Sequence, residues 1–131
     1  MSDLFEKART VRENAHAPYS KFKVGAALRT VSGEEFIGCN VENSAYPQGT
    51  CAEAGAIAAM IAAGEKEISE ICIVADSPNA VSPCGGCRQK LAEFSKPSTQ
   101  VHLGNLVGIL ECHSLGELLP HSFSSDHLPN G

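Results

Sequence analysis

Three cysteines and one glutamate constrain this chain most. They read Cys51-Ala52-Glu53 and, after a gap, Pro83-Cys84-Gly85-Gly86-Cys87-Arg88-Gln89. The first segment offers one thiolate with a carboxylate two residues on. The second offers two thiolates three apart. Three thiolates hold a zinc ion and leave its fourth position open for water. A carboxylate beside that water moves its protons. Such an open site is a catalyst, whereas a closed four-ligand site is a structural staple. A lone CxxC would leave zinc, redox and haem roles open. A thioredoxin-like reading leaves Cys51 and Glu53 unexplained. No further Cys or His lies close in sequence to either motif, which favours the open position over a zinc ribbon.

The periodicity places these residues at helix starts. Residues Asp3 to Ala15 read as a helix with Leu4, Ala8, Val11 and Ala15 on one face, ended by Pro18. Val24 to Val31 and Glu35 to Val41 read as two strands of a hairpin around Ser32-Gly33-Glu34. Glu42 to Thr50 is a loop. Cys51 to Ala63 is apolar on all sides, which predicts a buried helix, with Thr50 as N-cap and Gly64 as the residue past its end. Glu70 to Ala75 is a continuous apolar strand suited to a central position. Cys84 to Phe94 reads as a helix with Leu91 and Phe94 inward. Val101 to Leu103 and Val107 to Leu110 read as strands of an antiparallel hairpin, because the three residues between them are too few for a crossover. Leu115 to Leu119 is a short helix. The order α-β-β-α-β-α-β-β-α predicts an α/β fold: three layers, α/β/α, around a mixed five-stranded sheet.

Cys84 and Cys87 fall on one side of a first helical turn. Helix N-termini stabilise thiolates through partial positive charge and free N–H groups. Gly85 and Gly86 let the backbone come close to a metal. Cys51 and Glu53, two apart, would diverge inside a helix.

The chain has 131 residues and a net charge of −5. That length predicts a single domain, 1–131, small enough that a site could need help from a second subunit. The acidic balance argues against nucleic acid, which calls for a basic stripe, and against an anionic membrane surface. No apolar run approaches the roughly 20 residues of a membrane-spanning helix, and the N-terminal residues lack a signal-peptide pattern, so a cytoplasmic location is expected. Of the six cysteines, Cys39, Cys72 and Cys112 fall in strand-like runs and read as packed structural residues. His102, His113, His121 and His127 belong to no motif and read as surface or packing residues.

Taken together, Cys-x-Glu followed by Pro-Cys-x-x-Cys is the zinc-deaminase signature. The chain resembles the cytidine deaminases of pyrimidine salvage in their small homotetrameric form, over nearly all of its length. The resemblance rests also on Ala17–Leu28, on Gly38-Cys39-Asn40-Val41-Glu42-Asn43-Ser44-Ala45-Tyr46 and on Leu118–Phe123. It implies zinc on Cys51, Cys84 and Cys87, with Glu53 as the catalytic proton carrier. It implies a pyrimidine nucleoside held by Phe22, Asn40, Val41 and Glu42, with Asn40 and Glu42 on the ribose 3′-hydroxyl. It further implies that Phe123, and Ala45 and Tyr46, reach the nucleoside across subunit boundaries of a homotetramer. On the residues alone, Phe22 and Phe123 read as core aromatics and Glu42 equally well as a solvated loop charge.

The chain departs from that family at Ala54, where an Arg commonly follows the catalytic Glu. Three thiolates on Zn²⁺ leave one excess negative charge, which such an Arg would offset. Arg88 and the two helix N-termini are the candidates for doing so here. A blasticidin S deaminase shares the zinc motif and the missing Arg but differs at Asn40-Val41-Glu42-Asn43. A non-catalytic zinc-binding module has no use for Glu53.

Overall fold

The computed structural model describes residues 2–129. Its centre is a five-stranded mixed sheet built from β1 (Val24–Thr30), β2 (Glu35–Cys39), β3 (Ile68–Ala75), β4 (Gln100–Gly104) and β5 (Ile109–Ser114), in the order β2-β1-β3-β4-β5. Only β3 and β4 run parallel; the other neighbours are antiparallel. Side chains alternate across each strand, so the two faces of β1 and β3 separate cleanly. Ala26, Leu28, Ile71 and Ile73 join one core with Ala52, Ala56, Met60 and Leu91. Ala27, Cys72 and Val74 pack on the other face against Leu4 and Ala8. Helices α2 (Ala52–Ala62), α3 (Gly85–Glu93) and α4 (Leu115–Leu118) therefore form one outer layer and α1 (Ser2–Arg12) the other. This is the three-layer α/β/α arrangement expected, with β3 central and buried on both faces.

Several boundaries differ from the sequence expectation. Helix α1 ends at Arg12, well before Pro18, because the N–H groups of Glu13, Asn14 and Ala15 turn to carbonyls three residues back and His16 pairs with the Asn40–Glu42 backbone. The N-cap of α2 is Cys51 rather than Thr50, whose backbone instead pairs with Val41. Strand β2 stops at Cys39, since Asn40 and Val41 leave the sheet for that loop pairing. The last hairpin turns at residues 105–108, where the Asn105 side chain accepts from the N–H groups of Val107 and Gly108. Val107 is thus a turn residue, 90% exposed, and β5 begins two residues later.

Helix α2 does end as read. Gly64 adopts φ +88°, its N–H bonds to Ile61 O, and the next N–H bonds to Met60 O, a Schellman stop that glycine makes without steric penalty. The helix is not buried all round, however. Ala52, Ala56, Ile57 and Met60 face the sheet, whereas Ala58, Ile61 and Ala62 are exposed, because α2 lies in an outer layer with none of the described residues covering it. Its close seat on the sheet depends on Gly38, where an added Cβ would lie 2.3 Å from Ala56 N and 2.5 Å from Ala52 O.

On the α1 face a polar string crosses the sheet beyond the apolar cluster. Lys7 bonds Glu35, Glu35 bonds Arg29, Arg29 bonds Glu70, Glu70 meets His102 Nε2 at 3.3 Å, and His102 Nδ1 meets Cys112 Sγ at 2.9 Å. His102 is nearly buried in this string. Cys112, read as packed, lies exposed on edge strand β5. Cys72 is fully buried, and burial pushes its thiol up to about 12. Cys39 is half-buried.

Candidate metal centre and cavity

Two helix beginnings meet here. Cys51 precedes α2 and Cys84 precedes α3, both in extended conformation (φ −82°, ψ 160° and φ −65°, ψ 165°). Cys87 occupies the third residue of α3 and is fully buried. The three sulfurs lie within 4.8 Å of one another. Tetrahedral zinc–sulfur bonds of about 2.3 Å put sulfurs about 3.8 Å apart, so this spacing accommodates the ion. The donor set agrees. Burial raises the Cys51 and Cys87 thiols, whereas the Cys87 N–H facing the Cys84 sulfur lowers that thiol. Two thiols that resist ionisation on their own, that of exposed Cys51 and that of buried Cys87, are suited to a dication that deprotonates them outright.

Glu53 sits in the first turn of α2, 4% exposed. It borders the same cavity as Cys51 even though the two are adjacent-but-one in sequence. The reason is that Cys51 is an extended cap, not a helical residue, so the helical divergence of i and i+2 does not apply. Burial pushes the Glu53 carboxyl above the usual carboxylate range; its own backbone N–H, the Cys87 thiol and the Lys90 ammonium pull in the other direction.

The sulfurs and Glu53 form one wall of a cavity of about 400 Å³. Phe22, Asn40, Val41, Glu42 and Tyr46 line it as well, so five of the seven nucleoside contacts expected from the resemblance come together in one chain. Asn40 is fixed by two bonds: its side-chain oxygen accepts from Val24 N at 2.8 Å and its amide nitrogen donates to Phe22 O at 2.9 Å. Glu42 accepts from the N–H of Tyr19 at 3.0 Å, the N–H of Ser20 at 3.2 Å and the Ser20 hydroxyl. The Ser20 hydroxyl, with those two N–H groups, holds the Glu42 carboxyl below its usual range. Tyr46 borders its own chain's cavity, whereas the resemblance implies a contact across subunits. Ala45 lies outside the lining, its N–H turned to Asn43 Oδ1. Phe123 is away from the cavity as well, 58% exposed and stacked on His127.

The sequence reading missed the groups that hold the recognised ones. Ser20 orders Glu42, yet a lone serine in a loop carries no periodic or motif signal. Val24, Ile73, Val81 and Pro83 also line the cavity; each is an ordinary apolar residue until the strands and loops converge. Arg88 is not aimed at the sulfurs. Its guanidinium donates to Pro83 O at 2.9 Å, Leu118 O at 2.7 Å and Ser82 Oγ at 2.6 Å, which fastens the loop carrying Cys84 to the C-terminal segment.

With this geometry in view, the comparisons with known proteins agree. Residues 1–103 match the family described as the cytidine and deoxycytidylate deaminase zinc-binding region. A cytidine deaminase of Sporosarcina psychrophila is 44% identical over 125 residues, covering 95% of this chain and 92% of that protein. One from Halalkalibacterium halodurans is 40% identical, covering 95% of each. The crystal structure of cytidine deaminase from Burkholderia pseudomallei superposes with a TM-score of 0.89 at 44% identity, over 93% of this chain and 98% of that one. The chain belongs to the cytidine and deoxycytidylate deaminase family.

Proposed function

We propose, from that membership and the cavity's geometry, that this chain is an enzyme that hydrolyses cytidine to uridine and ammonia with the help of zinc. The observation that carries the reading is the convergence of three thiols and a buried carboxylate on the wall of a nucleoside-sized cavity. Cys51, Cys84 and Cys87 would hold the ion. Zinc, when bound, supplies the Lewis acidity that makes water a nucleophile near neutral pH. Glu53 is the proton carrier. It accepts a proton as the water oxygen attacks C4 of the ring and delivers it to ring N3; it then takes the proton of the C4 hydroxyl as the carbonyl forms and gives it to the amine that departs as ammonia. Its burial supports this role, because raising a carboxyl above the usual carboxylate range brings giving and taking a proton closer to balance.

Recognition of the sugar falls to Asn40 and Glu42, with Phe22 and Val41 against the nucleoside. An amide and a carboxylate together donate to and accept from a hydroxyl, and both are already ordered by backbone partners, which lowers the entropy lost on binding. The same pocket is read as accepting 2′-deoxycytidine, since neither residue is assigned to the 2′ position.

The working unit is read as a homotetramer of one domain, 1–131, with Ala45, Tyr46 and Phe123 completing neighbouring sites. The uncovered apolar face of α2 and the exposed Phe123 support this. No helix among the described residues is long and apolar enough to cross a membrane. A cytoplasmic role in pyrimidine salvage follows from the substrate class.

The test is ammonia release from cytidine, 2′-deoxycytidine, cytosine and blasticidin S by zinc-loaded protein. Release from the two nucleosides is expected. Release from blasticidin S alone, or from none despite bound zinc, overturns the reading.

A further inference from the structure

Three thiolates on a dication leave one unit of negative charge, and Glu53 adds a second when ionised. Something in the protein must offset this if zinc is to remain an effective Lewis acid. Arg88 donates to the neutral oxygens of Pro83, Leu118 and Ser82 and makes no direct bond to a sulfur. A second cation stands near the same centre. Lys90 Nζ and Cys84 Sγ lie 3.7 Å and 4.0 Å from the position that a Cβ on Gly86 would take. They are therefore no more than about 8 Å apart. Along α3, Lys90 stands one turn after Gly86, and it lines a groove between α2 and α3 together with Ala54, Ala58, Gln89 and Glu93. Among the described residues Lys90 makes no ion pair, Glu93 included, whereas Lys7 and Arg29 are both taken up by carboxylates.

We propose that Lys90 is a charge-balancing residue of the zinc–thiolate centre, reaching back toward the start of α3 from the groove that it borders with Ala54. It acts through the sulfurs and touches no substrate. The inference rests on the zinc reading given above.

Zinc affinity, measured by chelator competition at low and high salt, tests it in the wild type, Lys90→Met and Lys90→Arg. Lys90→Met keeps the stem and removes the charge. It should weaken zinc by roughly two- to thirty-fold, the span that Coulomb attraction at about 8 Å gives between bulk water and a protein surface. That loss should shrink as salt rises, and Lys90→Arg should retain the wild-type affinity. Adding Ala54→Arg to Lys90→Met, which sets a cation in the same groove from its other wall, should restore affinity. Unchanged affinity in Lys90→Met overturns the proposal, as does an equal loss in Lys90→Arg, which would mark the stem's packing as the cause. A wild-type chain that takes up no zinc overturns the zinc reading itself.

Discussion

Two polar clusters face each other across the sheet, and they use the same residue types. On the α2–α3 side are Cys51, Cys84, Cys87 and Glu53. On the α1 side, Lys7, Glu35, Arg29, Glu70, His102 and Cys112 run across the strands. The α1-side string is internally satisfied, since each carboxylate has a cation or an imidazole and the lone thiol has a ring nitrogen. The α2–α3 cluster instead gathers three soft donors and a buried carboxylate on the wall of a cavity. The difference teaches that a binding site is recognised by which groups converge on a cavity. Composition alone ranks the two clusters equally.

Each half of that contrast can be broken separately. The largest effect is expected from Cys87→Ala, which removes a fully buried ligand and should abolish both zinc content and ammonia release. Zinc retained at wild-type stoichiometry would show that the three sulfurs are not one site. Next is Glu53→Gln, expected to keep zinc while lowering kcat by about 10²–10⁴, the usual worth of general acid–base catalysis. A variant within a few-fold of wild type would remove Glu53 from the reaction. Asn40→Ala comes third. It strands Val24 N in a half-buried setting and frees Phe22 O at the surface, which costs about 1–3 kcal/mol of stability in chemical unfolding, and KM should rise. An unchanged KM would assign Asn40 to the fold alone.

The smallest effect should come from the satisfied cluster. Glu35→Gln breaks two ion pairs that are partly exposed, and such pairs contribute about 0–1 kcal/mol each. Activity should not change. The hydrogen-bonded ammonium of Lys7, then the Arg29 guanidinium, hold the Glu35 carboxyl below the usual carboxylate range. Its charge therefore stabilises the fold above the ordinary carboxylate pKa, and that contribution is lost as pH falls through the lowered native value. A plot of Tm against pH should accordingly be flatter on its acid side in Glu35→Gln. An acid limb identical to wild type would mean that the string stores no stability at all.

Much of the site was legible from local pattern. Cys-x-Glu and Cys-x-x-Cys sit at helix starts because cap geometry and the first turn are decided within a few residues. Gly64 stops α2 for the same local reason. Legibility fell off wherever a segment's hydrogen bonds are made with distant chain. Thr50 looked like a cap and became a loop partner of Val41; Pro18 looked like a helix end, but Asn40–Glu42 had already captured His16. Cys112 looked like core because strand periodicity does not say which strand is at the edge.

The sequence by itself therefore determined the donor set, the carboxylate beside it, the alternation of elements and the three-layer class, since these depend on residue chemistry and on periods of two and 3.6. Only the tertiary structure decided that Ser20 holds Glu42, that Arg88 fastens the loop before α3, and that Lys90 borders one groove with Ala54 within about 8 Å of the Cys84 sulfur. The reason is physical. Electrostatic and hydrogen-bonding partners are chosen by distance in space, and here that distance is set by which helices share a face of the sheet and how closely Gly38 lets α2 approach it.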